Sequence, residues 1–195
     1  MRSMARLLAP VVAATALAGL IVAPAHATET IPATGRFSFT TANGILPTWT
    51  SEQIALVGVS PGSVTTAANA TNARVTVPII AKTGTANAAG GGFRLLNADT
   101  GEVVRCSTPT IDTRARLVDC VLADGTNAAL FTITEIATRS RVIGSTTITR
   151  IFRGVQLRLN GQEAADLLNE ELSTTTFSPY VIIGTGDLIV TYDKP

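Results

Sequence analysis

One histidine, His26, serves the whole chain, and aromatic side chains are scarce: one Trp, two Tyr and six Phe among 195 residues. Each scarcity closes off a chemistry. His26 belongs to a leader that reads as removed, and without histidine no Ser-His-Asp or Cys-His arrangement can be built. His-ligated zinc and haem sites go by the same argument. The two cysteines, Cys106 and Cys120, are wrongly spaced for a CxxC redox pair and too few for a thiolate metal site. The reading finds no GxSxG elbow, no phosphate-binding loop and no dinucleotide fingerprint followed by a helix, and Gly90-Gly91-Gly92 imitates none of these.

The leader has an export pattern. Arg2 and Arg6 precede an uncharged run from Leu7 to Pro24, and Ala25-His26-Ala27 ends it with small residues where a signal peptidase reads them. The run is shorter than the roughly 20 apolar residues of a spanning helix and is broken by Pro10 and Pro24. The reading is a signal peptide over 1–27, cleaved after Ala27, and one domain over 28–195. The expected location is secreted or cell-surface, with no stable membrane insertion. Cleavage leaves 13 basic against 14 acidic side chains, a near-neutral balance that argues against nucleic acid and against anionic membrane surfaces, which want a basic face. Cys106 and Cys120 then form an even pair in an oxidising compartment, which reads as a disulfide joining neighbouring strands.

What is present is Thr, Val, Ile and Ala, punctuated by turn residues, a strand-forming composition. Alternation marks strands at 37–40, 74–79, 93–95, 103–106, 116–122, 130–134, 146–152, 155–159 and 187–192. Asn97 to Gly101 and Ala123 to Asn127 read as hairpin loops. Two helices interrupt the pattern. Thr50 with Gln53 resembles a capping box ahead of Ile54, Ala55 and Leu56. Asn160 with Glu163 resembles another, ahead of an apolar stripe formed by Ala164, Leu167, Leu168 and Leu172. Thr83 to Gly92 reads as a flexible loop tip. The expected fold is all-β, a single antiparallel β-sandwich with two short helices, with a closed β-barrel as the alternative.

For catalysis only paired carboxylates remain, from Asp112, Asp119, Asp124 and Glu135. These read instead as turn residues and solvent-facing strand residues. Trp49 reads as a core plug rather than a ligand platform. Arg139, Arg141, Arg150, Arg153 and Arg158 form the densest basic stretch and read as the solvent face of two strands. The expectation is a protein that is not an enzyme, with no catalytic residue, no metal and no cofactor, and with cofactor-binding residues unassigned.

From Gly92 onward the chain resembles the haem-transport-associated (HtaA-type) surface domains of actinobacteria. The residues that carry this are Ile111-Asp112-Thr113, Leu130-Phe131, the strand Arg153 to Leu159, and the helix Ala164 to Asn169. Thr174 to Phe177, Ile183-Gly184-Thr185, and Gly58-Val59 with Pro61 add to them. The resemblance implies a secreted or surface β-sandwich, and haem capture by a tyrosine supported by a histidine. No haem-binding residue carries over by position, because Tyr180 and Tyr192 are the only tyrosines and both lie near the end of the chain. The function expected is therefore a secreted, non-enzymatic module with a binding or cell-envelope structural role. The alternatives are haem or other apolar-ligand binding, through Tyr180 or Tyr192, and a carboxylate-based hydrolase. The partner expected is a cell-envelope component or an apolar ligand.

Overall fold

The computed structural model describes residues 29–194. The export segment 1–27 and the cut after Ala27 lie outside the described residues. In chain order the elements are β1 (Thr30–Thr41), α1 (Ile45–Ser51), β2 (Ile54–Val59), β3 (Ser63–Thr66), β4 (Ala73–Thr83), β5 (Ala86–Ala89) and β6 (Gly92–Asn97). There follow β7 (Val103–Asp112), β8 (Leu117–Val121), β9 (Asn127–Ile143), β10 (Thr147–Leu159), α2 (Gly161–Glu171) and β11 (Ile182–Asp193).

Every pairing is antiparallel. Following the pairs from β7 gives β5, β4, β1, β11, β10, β9 and β8, and β8 returns to β7. Eight strands thus close a ring, which leaves that part of the sheet without edges. The all-β antiparallel reading holds, but the expected sandwich is corrected to the stated alternative, a closed barrel, because β7 pairs with β8 and joins the two ends of the strand order. β6 continues β5 along β7 but pairs with β2 on its other side, while β3 pairs with β4, so the wall splits in two beside the ring.

Alternation decides which residues fill the interior. On β11, Leu188, Val190 and Tyr192 are buried, and on β4, Val75, Val77 and Ile79. A chain of aromatic contacts crosses the core from Phe37 to Phe39, Phe93 and Phe131, with centroids about 6 Å apart. The interior is filled. Its two residual voids are each about 10 Å³, at the lower limit for one water.

Several elements differ from the sequence reading, which has no strand at β3 and ends β9 at 134. The first helix is 45–51, and Ile54–Val59 is a strand paired to β6. Pro47 sits in the first helical turn, where its missing N–H costs nothing, and Leu46 and Trp49 face the core three residues apart. Gln53, read as closing a capping box with Thr50, is a turn residue with φ of 59°. The expected flexible tip at 83–92 contains β5, held by β4 on one side and β7 on the other. The chain kinks at Gly91, whose φ is +70°; a Cβ there would sit 2.5 Å from the Gly62 nitrogen, so only glycine fits. The strands read at 146–152 and 155–159 are one strand. Phe152 and Val155 both face inward because a bulge at Gly154 (φ +60°) inserts an extra residue between them. Asp187 holds that bulge, accepting from the Gly154 N–H at 3.2 Å and pairing with Arg153 at 3.5 Å.

One end of the barrel is plugged. α2 buries Ala164, Ala165 and Leu168, and Leu172 follows at its C-cap. Asn160 makes no cap bond to the helix; its side chain reaches β9 instead, accepting from Thr132 Oγ1 and donating to the Ala129 carbonyl. Trp49 packs on Phe177 at 5.6 Å, the core role the sequence suggested. Asn169 clamps Phe177 by donating to its carbonyl and accepting from its N–H, at 2.8 and 2.9 Å. Asn169→Ala leaves two backbone groups unpaired in a half-buried place. It is expected to cost about 1–2 kcal/mol, read as a lower urea midpoint at unchanged slope.

Cys106 on β7 and Cys120 on β8 form the expected disulfide, 14 residues apart in sequence with Cα atoms 4.8 Å apart. It joins neighbouring strands of the ring, as read, and its presence suits an oxidising compartment.

Candidate functional site: a basic cleft at the open mouth

The other end of the barrel is open. The turns β4–β5, β7–β8 and β9–β10 all lie there, together with the start of β1 and the end of β11. β9 runs past its neighbour. β8 pairs with β9 no further than Thr132, and beyond Ile133 β9 has only β10 beside it. The overhanging hairpin faces the Thr113–Arg116 loop across a cleft of about 550 Å³, within the range of small-molecule sites.

Five arginines line this cleft: Arg114 and Arg116 from the loop, Arg139 and Arg141 from β9, and Arg150 from β10. Thr85, Thr113, Ser140 and Phe152 complete the wall. No carboxylate is among the lining side chains. Among the described residues the one ion pair joins Arg153 and Asp187, so none of the five is neutralised by a direct acidic partner. Register explains the convergence. Arg141 pairs with Arg150 and Arg139 with Phe152, and paired residues of an antiparallel ladder share a face. Phe152 is buried, so this is the inward face carried beyond the core. The reading of these arginines as one solvent face is corrected here. Arg139, Arg141 and Arg150 line the mouth, Arg153 sits at the bulge, and Arg158 lies toward the closed end.

Two further groups shape the cleft. Arg150 Nε donates to the Tyr192 hydroxyl at 3.0 Å, and Lys82 stands over the Tyr192 ring at 4.9 Å. Asp112 fixes the loop: its Oδ1 accepts from the N–H groups of Arg114 and Ala115 and from Thr85 Oγ1, all within 2.9 Å. Arg116, at φ of 60°, spans the gap by donating to the Thr134 carbonyl at 3.0 Å.

The carboxylates considered for hydrolysis do not enclose a substrate. Asp124 caps its own turn, accepting from the N–H and hydroxyl of Thr126, which hold its carboxyl below the ordinary range. Glu135 is exposed on β9. Asp112 and Asp119 are diagonal neighbours on β7 and β8, and neither lines the basic cleft. Burial pushes the Asp112 carboxyl up, but the N–H groups of Ala115 and Arg114, the Thr85 hydroxyl and the Arg114 charge outweigh it and hold it below the usual value. Burial, aided by the Asp112 charge, raises Asp119. The signs oppose. Asp112 stabilises the fold above its unfolded value, and that contribution is lost as pH falls through its depressed value. Asp119 costs stability once pH rises past its raised value. Asp119→Asn is therefore expected to be slightly more stable than the parent at neutral pH, the difference vanishing in acid; thermal melts across pH read this.

The expectation of no GxSxG elbow is corrected in its spacing, which Gly58-Val59-Ser60-Pro61-Gly62 has. That segment forms the β2–β3 turn between two strands rather than a strand-to-helix turn, and the described residues contain no histidine. The tyrosines considered for haem lie at opposite ends of β11. Tyr192 is 8% exposed beneath the cleft, and Tyr180 is 62% exposed near the closed end, with Arg158 over its ring at 5.0 Å. A second, more apolar cleft of about 330 Å³ lies at that closed end, among Ile45, Trp49, Phe177, Val181 and Ile183.

The basic cleft was missed because its cations are scattered through the sequence. The available signal was spacing: Arg139 and Arg141 lie two apart, as do Arg150 and the buried Phe152, the period that puts strand residues on one face.

Fold and site together define an antiparallel barrel closed by helices at one end and basic at the other. No family model matches the chain, and no curated protein matches it. Among solved structures it is similar to the crystal structure of the heme-binding protein HtaB from Corynebacterium glutamicum. The identity is 13% and the TM-score 0.47, covering 85% of this chain and 98% of that chain.

Proposed function

We propose that this chain is a non-enzymatic binding protein, exported by its leader, that takes a multiply charged anion at the open mouth of its barrel. The observation that carries this is the set of five arginines around one cleft with no carboxylate in its lining. Holding so many like charges together is unfavourable in the free protein and is relieved by a phosphate, sulfate or carboxylate group, which guanidinium binds in a two-pronged fashion. The test is a calorimetric titration with tripolyphosphate as the probe. Binding that weakens steeply with added salt supports the reading, and no heat of binding at low salt counts against it. Export is tested by the N-terminus of the protein recovered outside the cell, expected at Thr28.

A second reading is haem binding, favoured by one observation: the Tyr192 hydroxyl adjoins Arg150 at the cleft, so that a phenol oxygen and several arginines stand together. Haem offers iron to the first and two carboxylates to the second. The filled barrel interior leaves the mouth as its place. A Soret shift on haem titration that disappears in Tyr192→Phe supports this reading, and an unchanged Soret band removes it.

A further inference from the structure

The hairpin that overhangs the cleft carries a feature an anion site does not need. At its tip Val142 and Ile143 are 57% and 60% exposed, although aliphatic side chains elsewhere in the chain are mostly buried. Val142 pairs with Thr149 and Ile143 with Ile148, so the two project from opposite faces of the hairpin. Behind them stand Arg141 and Arg150. Beside them the Lys194 ammonium donates to the Ser145 carbonyl at 3.0 Å, and the Lys194 N–H donates to the Thr146 carbonyl at 2.8 Å, tying the end of the chain to the hairpin turn. An apolar tip backed by cations has the order of a lipid surface, acyl layer first and anionic headgroups behind it.

The distribution of charge orients the molecule the same way. The closed end carries Asp99, Glu102 and Asp124 in its loops and four carboxylates on α2. A near-neutral chain is thus polarised along its barrel axis, basic at the mouth and acidic at the plug. Such a dipole turns the mouth toward an anionic surface and the plug away from it.

We infer that the β9–β10 tip docks the protein on an anionic lipid surface, with Val142 and Ile143 entering the interface and the cleft arginines pairing with headgroup phosphates. This rests on the anion-site reading and names the source of the anion. The binding is peripheral: two aliphatic side chains and a patch of cations give reversible attachment, not a span.

The test is co-sedimentation of the exported chain with vesicles of phosphatidylcholine alone and of phosphatidylcholine mixed with phosphatidylglycerol. A parallel titration with tripolyphosphate accompanies it. The parent is expected to sediment with the mixed vesicles only, and to be released by added salt. Val142→Ser with Ile143→Ser, which adds no charge beside Arg141 and Arg150, is expected to bind tripolyphosphate as the parent does while losing vesicle affinity by about tenfold or more. The tip is solvent-exposed, so this variant retains the fold, and its tripolyphosphate binding verifies that. If tripolyphosphate binds but mixed vesicles are ignored, or if the tip variant sediments like the parent, the anion is a soluble one or a different polymer and the inference is overturned. If tripolyphosphate itself does not bind, the anion-site reading fails instead.

Discussion

Arg139→Ala combined with Arg141→Ala is expected to weaken tripolyphosphate binding by about a hundredfold while leaving the melting temperature unchanged or raised. The size follows from the chemistry. A charge-assisted hydrogen bond contributes about 1.5–3 kcal/mol when its partner is buried, and two such contacts at a partly solvated mouth are discounted by screening to a total near 3 kcal/mol. The direction of the stability change discriminates more sharply. Arg141 lies opposite Arg150 across the β9–β10 ladder, and like charges facing each other destabilise a sheet. Both substituted side chains are exposed and neither has an acidic partner, so their removal takes away repulsion and no packing. A site built for a ligand at the expense of the free fold shows this opposition of binding and stability. A purely structural patch would lose stability on truncation, or lose nothing in binding. Arg150 is a poorer choice for the test because it also bonds Tyr192.

The second large effect is on the fold. Replacing Cys106 and Cys120 by alanine is expected to cost about 3 kcal/mol, the chain-entropy value for a loop of roughly this length. That lowers the melting temperature by roughly 6–12 °C for a chain of this size. Both half-cystines are buried, so lost packing adds to the effect. The closed loop holds the Thr113–Arg116 segment at its tip, and β7 and β8 are the strands that complete the ring. Loss of the bridge therefore frees one wall of the cleft, and tripolyphosphate binding should weaken along with stability. A melting temperature that does not respond to the double substitution would mean that the ladder alone fixes the β7–β8 pair.

These two expectations separate what the sequence made legible from what it did not. Strands were legible where one face is buried. The alternation of Leu188, Val190 and Tyr192, or of Val75 and Val77, is the burial pattern itself, and the hairpin loops followed from Asp and Gly turn chemistry. The disulfide followed from an even cysteine count. α1 was displaced because Thr50, Ser51 and Gln53 imitate a cap, whereas the burial of Leu46 and Trp49 and the pairing of Ile54–Val59 with β6 are tertiary facts. β5 was missed because Ala86 to Ala89 has no apolar alternation; two neighbouring strands hold it by its backbone. The choice between sandwich and barrel turned on long-range pairings, above all β1 with β11, the first and last strands of the ring in chain order, which no local pattern encodes.

The cleft depended on that closure. Arginines at 114 and 116 meet those at 139, 141 and 150 only because β8 stops short of β9's end and the β7–β8 loop folds back over the gap. Net charge was the wrong summary for the same reason. The near-neutral balance that argued against nucleic acid and anionic membrane surfaces is the sum of a basic mouth and an acidic plug.

The central claim is that an anion binds at the open mouth through these five side chains. Following the arginine Nε–Hε resonances by nuclear magnetic resonance during a tripolyphosphate titration tests it most directly. The account predicts saturable shifts at Arg114, Arg116, Arg139, Arg141 and Arg150, with Arg74, Arg94 and Arg105 unmoved. Shifts spread evenly over all arginines, or largest at the plugged end, would contradict it.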